Sequence, residues 1–141
     1  MRRCLLLLSV AFVALAQSAE HVQLDELMER YSDYNGKQII VSGEVVSGPE
    51  MTVMLLPGPP ANSGRANLML ITLSDEVARN PGTLEKRFMR VLKKAHIIDI
   101  VLQGRFEAAT ERSFGHQLCC QFRFEVLRVV NIGHSQAKTG R

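Results

Sequence analysis

Two long β-rich runs, each interrupted by a single glycine, place the strongest constraint on how this chain folds. The first runs from Lys37 to Val46 around Gly43, and the second runs from Ile97 to Phe106 around Gly104. In the first run, apolar and polar residues fall largely on opposite faces of a strand, because side chains alternate with a period of two. A glycine inside a strand marks a sharp bend, which strands need when a small sheet closes on itself. The two runs therefore predict a small closed β-sheet.

Residues 1–19 have the layout of a secretory signal peptide. The basic pair Arg2 and Arg3 precedes an apolar run from Cys4 to Leu15, and small residues follow at Ala14 and Ala16. The run is shorter than the roughly 20 residues that a membrane-spanning helix needs, which favours a cleaved signal over an anchor. We therefore predict a secreted or periplasmic protein with no transmembrane segment after cleavage. Three cleavage positions fit the sequence: after Ala16, after Ser18 or after Ala19.

The predicted mature chain is nearly neutral, which argues against nucleic acid as a partner. The full sequence has 17 Lys plus Arg and 14 Asp plus Glu, and removing Arg2 and Arg3 with the signal leaves 15 bases, a net charge of +1. Proteins that bind through phosphate contacts usually carry a clear basic excess. Proteins that bind single strands also stack nucleobases on exposed aromatic side chains in a basic groove. The predicted strands Met51–Leu56 and Ala66–Leu73 contain no aromatic residue and no Lys or Arg.

The remaining segments divide the chain into helices, strands and loops. His21 to Ser32 has the period of an amphipathic helix and ends at a turn, and a second helix capped by Thr83 is predicted to reach Ala95. Ser74 is a plausible N-cap for a short helical turn between them. Gln117 to Val130 is a predicted fifth strand. These assignments give four regions: a signal peptide at 1–19, a helix and turn at 20–36, a barrel at 37–130 and a disordered tail at 131–141.

The order of these elements resembles the OB-fold, a five-stranded Greek-key barrel. The resemblance depends on five strands, on glycines within the first and fourth of them, and on a helix between the third and fourth, and it covers Lys37 to Val130. The stretches Gly36–Val45 and Phe114–His116 also look similar to exported bacterial OB-type domains with no assigned role. The resemblance implies a mainly β protein, with the N-terminal helix packed against an OB-like barrel.

Sulfur and imidazole groups raise the questions of disulfides and metals. Cys119 and Cys120 are adjacent in a predicted strand, where neighbouring side chains point to opposite faces, so we expect no structural disulfide. His116, Cys119 and Cys120, with His96 as a further candidate, form one loose cluster without the paired spacing of structural zinc sites. Adjacent cysteines on one strand cannot both point at one ion without distortion. The methionines at 51, 54 and 69 suit Cu(I), but methionine is also a common core residue. We predict no metal and no cofactor, and keep His116 and Cys119 as the weak metal candidates.

The second predicted helix carries five bases on one face. This face can contact anionic lipid or nucleic acid, although charged helix faces are commonly just solvated. The five bases are Lys86, Arg87, Arg90, Lys93 and Lys94.

The sequence contains none of the motifs that mark a nucleophile, a metalloprotease or a phosphate-binding loop, and we predict a non-enzymatic protein. Our main hypothesis is an exported OB-fold binding or interaction module whose partner is an unknown protein or small ligand of that compartment. The alternatives are a metal-handling protein for copper or zinc, and a binder of nucleic acid or an anionic surface through the basic helix. The candidate residues for a ligand rim are Pro57, Asn62, Arg65, Phe114 and His116.

Overall fold

The computed structural model describes residues 18–58, 67–94, 97–110, 112–115 and 119–136. Most of the predicted signal peptide therefore lies outside the described residues. The same holds for three of the predicted rim residues: Asn62, Arg65 and His116.

Six strands and four short helices make up the described part of the chain. The strands are β1 (Glu20–His21), β2 (Gln38–Ser47), β3 (Thr52–Leu55), β4 (Leu68–Leu73), β5 (Ile97–Ala108) and β6 (Phe122–Gln136). The helices are α1 (Leu24–Glu29), α2 (Tyr31–Tyr34), α3 (Asp75–Arg79) and α4 (Thr83–Leu92).

The strands form a closed five-stranded barrel, which confirms the predicted mainly β, OB-like fold. The strand order is β1-β2-β3-β4-β6-β5, and a further pairing of β2 with β5 closes the sheet. This closing pair is antiparallel and extends over nine positions, from Gln38 opposite Arg105 to Val46 opposite Ile97. The pairing of β4 with β6 is parallel. The sixth strand, β1, adds a short parallel pairing to β2 and lies outside the five-strand pattern.

Buried apolar side chains from every barrel strand, and from the helices, meet inside the barrel. Those with less than 2% exposure include Leu27, Ile39, Val41, Val45, Met54, Met69, Phe88, Ile98, Leu102, Phe106, Phe124 and Val126. Met54 and Met69 are opposite each other in the β3–β4 register, so these two methionines are core residues.

Both glycines of the long runs lie in the closing pair of strands, where a side chain would collide with a neighbour. A Cβ atom at Gly104 would lie 2.1 Å from the Glu125 carbonyl oxygen of β6. A Cβ atom at Gly43 would lie 3.0 Å from the Leu24 side chain of α1 and 3.0 Å from the Met54 sulfur. Gly104 therefore permits close approach of β5 and β6, and Gly43 permits α1 to pack against β2.

The predicted N-terminal helix is shorter than expected at its start and is broken near its end. Glu20 and His21 form β1, because Val22 N–H donates a hydrogen bond to the Ile40 carbonyl and keeps this segment against β2. Arg30 leaves helical geometry, with φ −128° and ψ 32°, and separates α1 from α2. The two helices remain linked, because the Tyr34 hydroxyl donates a 2.7 Å hydrogen bond to the Glu26 carboxylate.

The last strand begins and ends later than predicted. The sequence assigned a strand to 117–130, whereas β6 runs from Phe122 to Gln136. The prediction of a disordered tail is therefore wrong for 131–136, which pairs with the first half of β5. Residues in this part of β6 are mostly exposed, so they have no apolar period even though they form backbone hydrogen bonds.

The two helices between β4 and β5 follow the prediction with one change at a cap and one at an end. The second helix is predicted to reach Ala95, which lies outside the described residues, and α4 ends at Leu92. Ser74 is the N-cap of α3, as predicted, since its hydroxyl accepts a hydrogen bond from Val77 N–H. Thr83 is the first residue of α4, and Gly82 precedes it as the N-cap. The apolar side of α4 faces the barrel, with Phe88 fully buried.

Candidate functional site

A groove opens on the outer side of the β3–β4 hairpin, at the end where two loops meet. One loop is the turn between β2 and β3, and the other contains Gly115 in the connection from β5 to β6. The groove has a volume of about 470 Å³. OB barrels use this face of the sheet, together with these two loops, to bind ligands. Its lining residues are Gly48, Pro49, Glu50, Met51, Thr52, Leu70, Ile71, Thr72 and Gly115.

The wall of the groove combines apolar side chains with a hydroxyl group. Met51 and Leu70 supply apolar surface, and Thr72, on the same strand face as Leu70, supplies a hydroxyl. Thr52 shares its strand face with the buried Met54, and its hydroxyl lies 3.4 Å from that of the buried Ser47. Apolar surface continues along the outer hairpin face to Leu55, which is 36% exposed. No Lys or Arg is among the described residues of the wall, so the groove offers no described cation for a phosphate or carboxylate.

The loop that borders the groove is fixed by backbone and side-chain contacts around Phe114. Phe114 and Cys120 exchange two backbone hydrogen bonds, with N···O distances of 2.6 and 3.1 Å. The Arg123 guanidinium lies over the Phe114 ring, 5.0 Å from its centroid, and forms an ion pair with Glu107. Gly115 has φ +83°, a backbone conformation that favours glycine, so the chain can turn at the groove edge.

Cys119 and Cys120 form a disulfide beside this groove, which overturns the expectation that they would not pair. That expectation assumed a strand, in which neighbouring side chains point to opposite faces. Both cysteines instead precede β6, and the loop brings the two sulfurs to the same side. Cys120 is 1% exposed, whereas Cys119 is half-buried. Adjacency of two cysteines was the one sequence signal for this bond.

Met51 connects the disulfide to the groove wall. Its Sδ atom lies 3.6 Å from Cys119 Sγ. Because a disulfide sulfur carries no proton, this contact is a van der Waals contact between two sulfurs and not a hydrogen bond. A Cβ atom at Gly115 would lie 3.0 Å from the same Cys119 sulfur, so the glycine packs against the disulfide. The structure therefore brings the sulfur atoms of Met51, Cys119 and Cys120 together, although Met51 is far from the two cysteines in the sequence.

The predicted rim residues do not form one cluster in the described part of the chain. Phe114 lies at the groove, next to the lining residue Gly115. Pro57 follows β3 at the opposite end of the hairpin and does not line the groove. The other three, Asn62, Arg65 and His116, lie outside the described residues.

Lys86, Arg87 and Arg90 of the predicted basic face lie on α4, and Lys93 and Lys94 follow its last residue, Leu92; none of the five lines the groove. All five bases are exposed. The acidic residue on this helix, Glu85, accepts a 2.9 Å hydrogen bond from Val129 N–H of β6. Its carboxylate therefore serves to attach the helix to the barrel, and no ion pair to the five bases is found among the described residues.

Two other cavities carry less weight as sites. The larger one, about 820 Å³, is lined in part by Ser18 and Ala19, and the predicted signal cleavage can remove these residues. The smaller one, about 310 Å³, lies over the middle of the β2–β5 pair, beside Glu44 and Asp99. These two carboxylates are opposite each other in the strand register. Neither cavity lies on the face that OB barrels use for ligands.

Within the described ranges, no group of three or more His, Cys, Asp or Glu side chains is arranged to hold a metal ion. Among those same ranges, none of the helices has the length and hydrophobicity needed to cross a bilayer.

No protein-family model matches the chain, and no curated protein matches it. Among solved structures, the crystal structure of a putative aspartyl-tRNA synthetase from Leishmania major Friedlin is similar to it, with a TM-score of 0.44 and 12% identity. The match covers 88% of this chain and 23% of that protein, so the chain spans less than a quarter of the other's length. A similarity of this size carries no argument about function, and the OB-like assignment depends on the strand order instead.

Proposed function

We propose that this protein is an exported, non-enzymatic binding module of OB-like fold that holds a neutral ligand in the groove beside β3 and β4. The ligand is a small molecule or a short segment of another exported protein. The position of the groove is the observation that supports this most, because OB barrels bind ligands on this face and between these loops. Its volume of about 470 Å³ falls within the range of about 300–1,000 Å³ for small-molecule sites.

The chemistry of the wall is the reason for a neutral ligand, because its described residues include no basic residue to balance an anion and its acid, Glu50, already has an interaction partner. Thr72 offers a hydroxyl that donates or accepts hydrogen bonds, and Met51 and Leu70 offer apolar contact. A nucleic acid would need Lys or Arg side chains to bind its phosphates and aromatic side chains to stack on its nucleobases. Neither kind of residue is found among the described lining residues.

Export is the second part of the proposal and depends on the N-terminal sequence. Cleavage after Ala16, Ser18 or Ala19 leaves β1 and the buried Val22 in the mature chain. Each of the three cleavage positions is therefore compatible with the folded barrel.

The test of export is to produce the full sequence in a bacterium, separate the compartments and measure the intact mass. We expect the mature form outside the cytoplasm, with a mass that identifies one of the three cleavage positions. A double variant, Leu6→Arg with Leu8→Arg, interrupts the apolar run and should stay uncleaved inside the cell. Uncleaved wild type in the cytoplasm would contradict export.

The test of the groove is native mass spectrometry of the protein recovered from the exported fraction, for wild type and two variants. Thr72→Arg places a long charged side chain in the groove wall and should abolish any bound species. Thr83→Arg adds the same side chain at the exposed start of α4, away from the groove, and should keep it. A wild type that carries no bound species, or a Thr72→Arg variant that keeps it, would count against the groove.

A second candidate function is attachment to an anionic membrane surface through α4. The supporting observation is that Glu85, the acid of α4, is hydrogen-bonded to the backbone of Val129, and that no ion pair to the five exposed bases is found in the described part of the chain. A cluster of bases near a surface is attracted to anionic lipid headgroups, and salt weakens this attraction.

Vesicle sedimentation separates this candidate from the groove proposal. Wild type should bind vesicles that contain anionic lipid and release them at high salt, and it should ignore neutral vesicles. The variant Arg87→Glu with Arg90→Glu should lose this binding. The matched variant Arg105→Glu, at an exposed position on β5, should retain most of it. Equal binding to both kinds of vesicle would reject the candidate.

A further inference from the structure

We propose that Cys119, Cys120 and Met51 form a Cu(I) site that exists only when the disulfide between the two cysteines is reduced. The proposal goes beyond the groove and does not depend on it. It starts from three sulfur atoms gathered at one place by two distant parts of the chain. The disulfide joins Cys119 to Cys120, and Met51 Sδ lies 3.6 Å from Cys119 Sγ.

The spacing of these sulfurs fits a shared metal ion. Metal–sulfur bonds of about 2.3 Å place two sulfur ligands of one ion roughly 3.8–4.0 Å apart. The Met51–Cys119 distance of 3.6 Å is within a few tenths of an ångström of that separation. While the Cys119 and Cys120 sulfurs are bonded to each other, neither is a thiolate, so the pair cannot ligate an ion. Reduction frees them to separate by rotation about their side-chain bonds, and they start on the same side of the loop.

The donor set selects the metal. Two thiolates and one thioether are soft ligands, which favour Cu(I) over the harder divalent ions. Structural Zn²⁺ sites use four ligands, commonly with His or additional Cys, and do not usually include a thioether. Three sulfurs therefore point to a three-coordinate Cu(I) ion.

The redox step balances with a dithiol as the reductant. The dithiol attacks the half-buried Cys119 sulfur, the Cys119–Cys120 bond breaks, and Cys120 leaves as a thiolate that takes up a proton. The second thiol of the reductant then releases Cys119, so two electrons and two protons pass to this protein while the reductant becomes a disulfide. Binding of Cu(I) subsequently releases the two protons, because the ligands are thiolates.

The surroundings keep the site accessible on one side. Cys120 is buried and is held by two backbone hydrogen bonds to Phe114, so its position is fixed. Cys119 and Met51 are half-buried, and Met51 belongs to the groove wall. An ion can therefore approach from the groove side while the backbone of the loop stays in place.

The test is anaerobic titration with Cu(I) in competition with a coloured Cu(I) chelator. The protein is first reduced with a phosphine, which is then removed. We expect reduced wild type to bind one equivalent and to gain the ultraviolet absorption of a Cu(I)–thiolate bond. Oxidised wild type and Cys119→Ser should compete no better than the buffer alone.

Methionine variants test the third ligand. Met51→Leu should weaken Cu(I) binding by roughly tenfold, a loss of about 1.4 kcal/mol. Met89→Leu changes a half-buried methionine on α4, outside the sulfur cluster, and should leave the affinity unchanged. Because Cys120 is buried, Cys120→Ser is not used, and the comparison of oxidised with reduced wild type replaces it.

Three results would overturn the proposal. If reduced wild type binds Cu(I) no more tightly than Cys119→Ser does, the two cysteines do not form the site. If oxidised wild type binds Cu(I) as tightly as the reduced form does, binding does not depend on reduction of the disulfide. Equal affinities of Met51→Leu and Met89→Leu would exclude Met51 as a ligand.

Discussion

At the scale of single residues, Gly104 is the position where one added methyl group should do the most damage. Its Cβ atom would lie 2.1 Å from the Glu125 carbonyl oxygen and 2.6 Å from the Phe124 ring. We expect Gly104→Ala to lower the free energy of unfolding by about 1–3 kcal/mol or more, because β5 and β6 must move apart. Urea unfolding measures this change.

The matched control for that prediction is Gly48→Ala. A Cβ atom at Gly48 would meet only the Met51 carbonyl oxygen, at an ordinary 3.6 Å. Its free energy of unfolding should change by no more than about 0.5 kcal/mol. If the two variants unfold at the same urea concentration, the close approach of β5 to β6 is not what requires glycine at position 104.

Tyr34 gives a residue-scale prediction for alkaline pH. The hydrogen bond to Glu26 raises the pKa of Tyr34 above its usual value, and burial acts in the same direction. Since the folded pKa is higher than the unfolded one, the folded state holds this proton more tightly. The resulting stability is present below the unfolded pKa of about 10 and is lost as pH rises through the folded pKa.

Absorbance titration of tyrosinate tests this prediction. The chain has two tyrosines and no tryptophan, so the variant Tyr31→Phe isolates the signal of Tyr34. We expect its pKa above the usual value in the folded protein. The further variant Glu26→Gln should lower it, because the carboxylate charge is removed. An ordinary pKa in Tyr31→Phe would argue against the Tyr34–Glu26 hydrogen bond.

At the scale of elements, the attachment of α4 to the barrel depends on a carboxylate. Glu85 accepts the hydrogen bond of Val129 N–H, and Val129 is 1% exposed. Glu85→Ala leaves this buried N–H without its acceptor, which should cost about 1–3 kcal/mol of unfolding free energy. Glu85→Gln keeps a carbonyl oxygen at the same place and should recover most of that loss. Equal losses in both variants would contradict the role of the hydrogen bond.

The elements also show which parts of the fold the sequence could predict. Strands with one buried face, such as β2 and the Phe122–Val130 part of β6, have the two-residue apolar period, and both were recognised from it. The segment from Asn131 to Gln136 has backbone pairing but little burial, so nothing in its hydrophobic pattern distinguishes it from a disordered tail. The break between α1 and α2 at Arg30 is likewise a change of backbone dihedral angles. It could not be predicted, because the apolar period of the sequence continues through it.

The candidate site was harder to predict than the fold, because its parts are distant in sequence. Phe114 is a predicted rim residue that neighbours the lining residue Gly115, whereas the sequence indicates only a core or copper role for Met51. The disulfide was missed because the two-residue period was applied to Cys119 and Cys120, which lie in a loop. Contacts between two loops follow from the closure of the barrel and cannot be read from local spacing.

At the scale of the whole molecule, the barrel should need the end of β6. Residues 131–136 pair with the first half of β5, which contributes the buried Ile98 and Ile100 to the core. A chain that stops after Val130 should unfold at a much lower temperature, because β5 loses a neighbouring strand along this half. A chain that stops after Gln136 is the control and should match the full chain. Equal melting temperatures of the two shortened chains would contradict this role of residues 131–136.

The pairing of β2 with β5 also has a consequence for how the chain is made. During synthesis, the ribosome releases β2 long before it releases the partner strand that completes its pairing at Arg105. Until then Ile39, Val41 and Val45 have no barrel interior to enter, and such transiently exposed strands tend to aggregate. Contacts between segments so far apart also slow folding. Newly made chains should therefore depend on a chaperone for the interval between the emergence of these two strands.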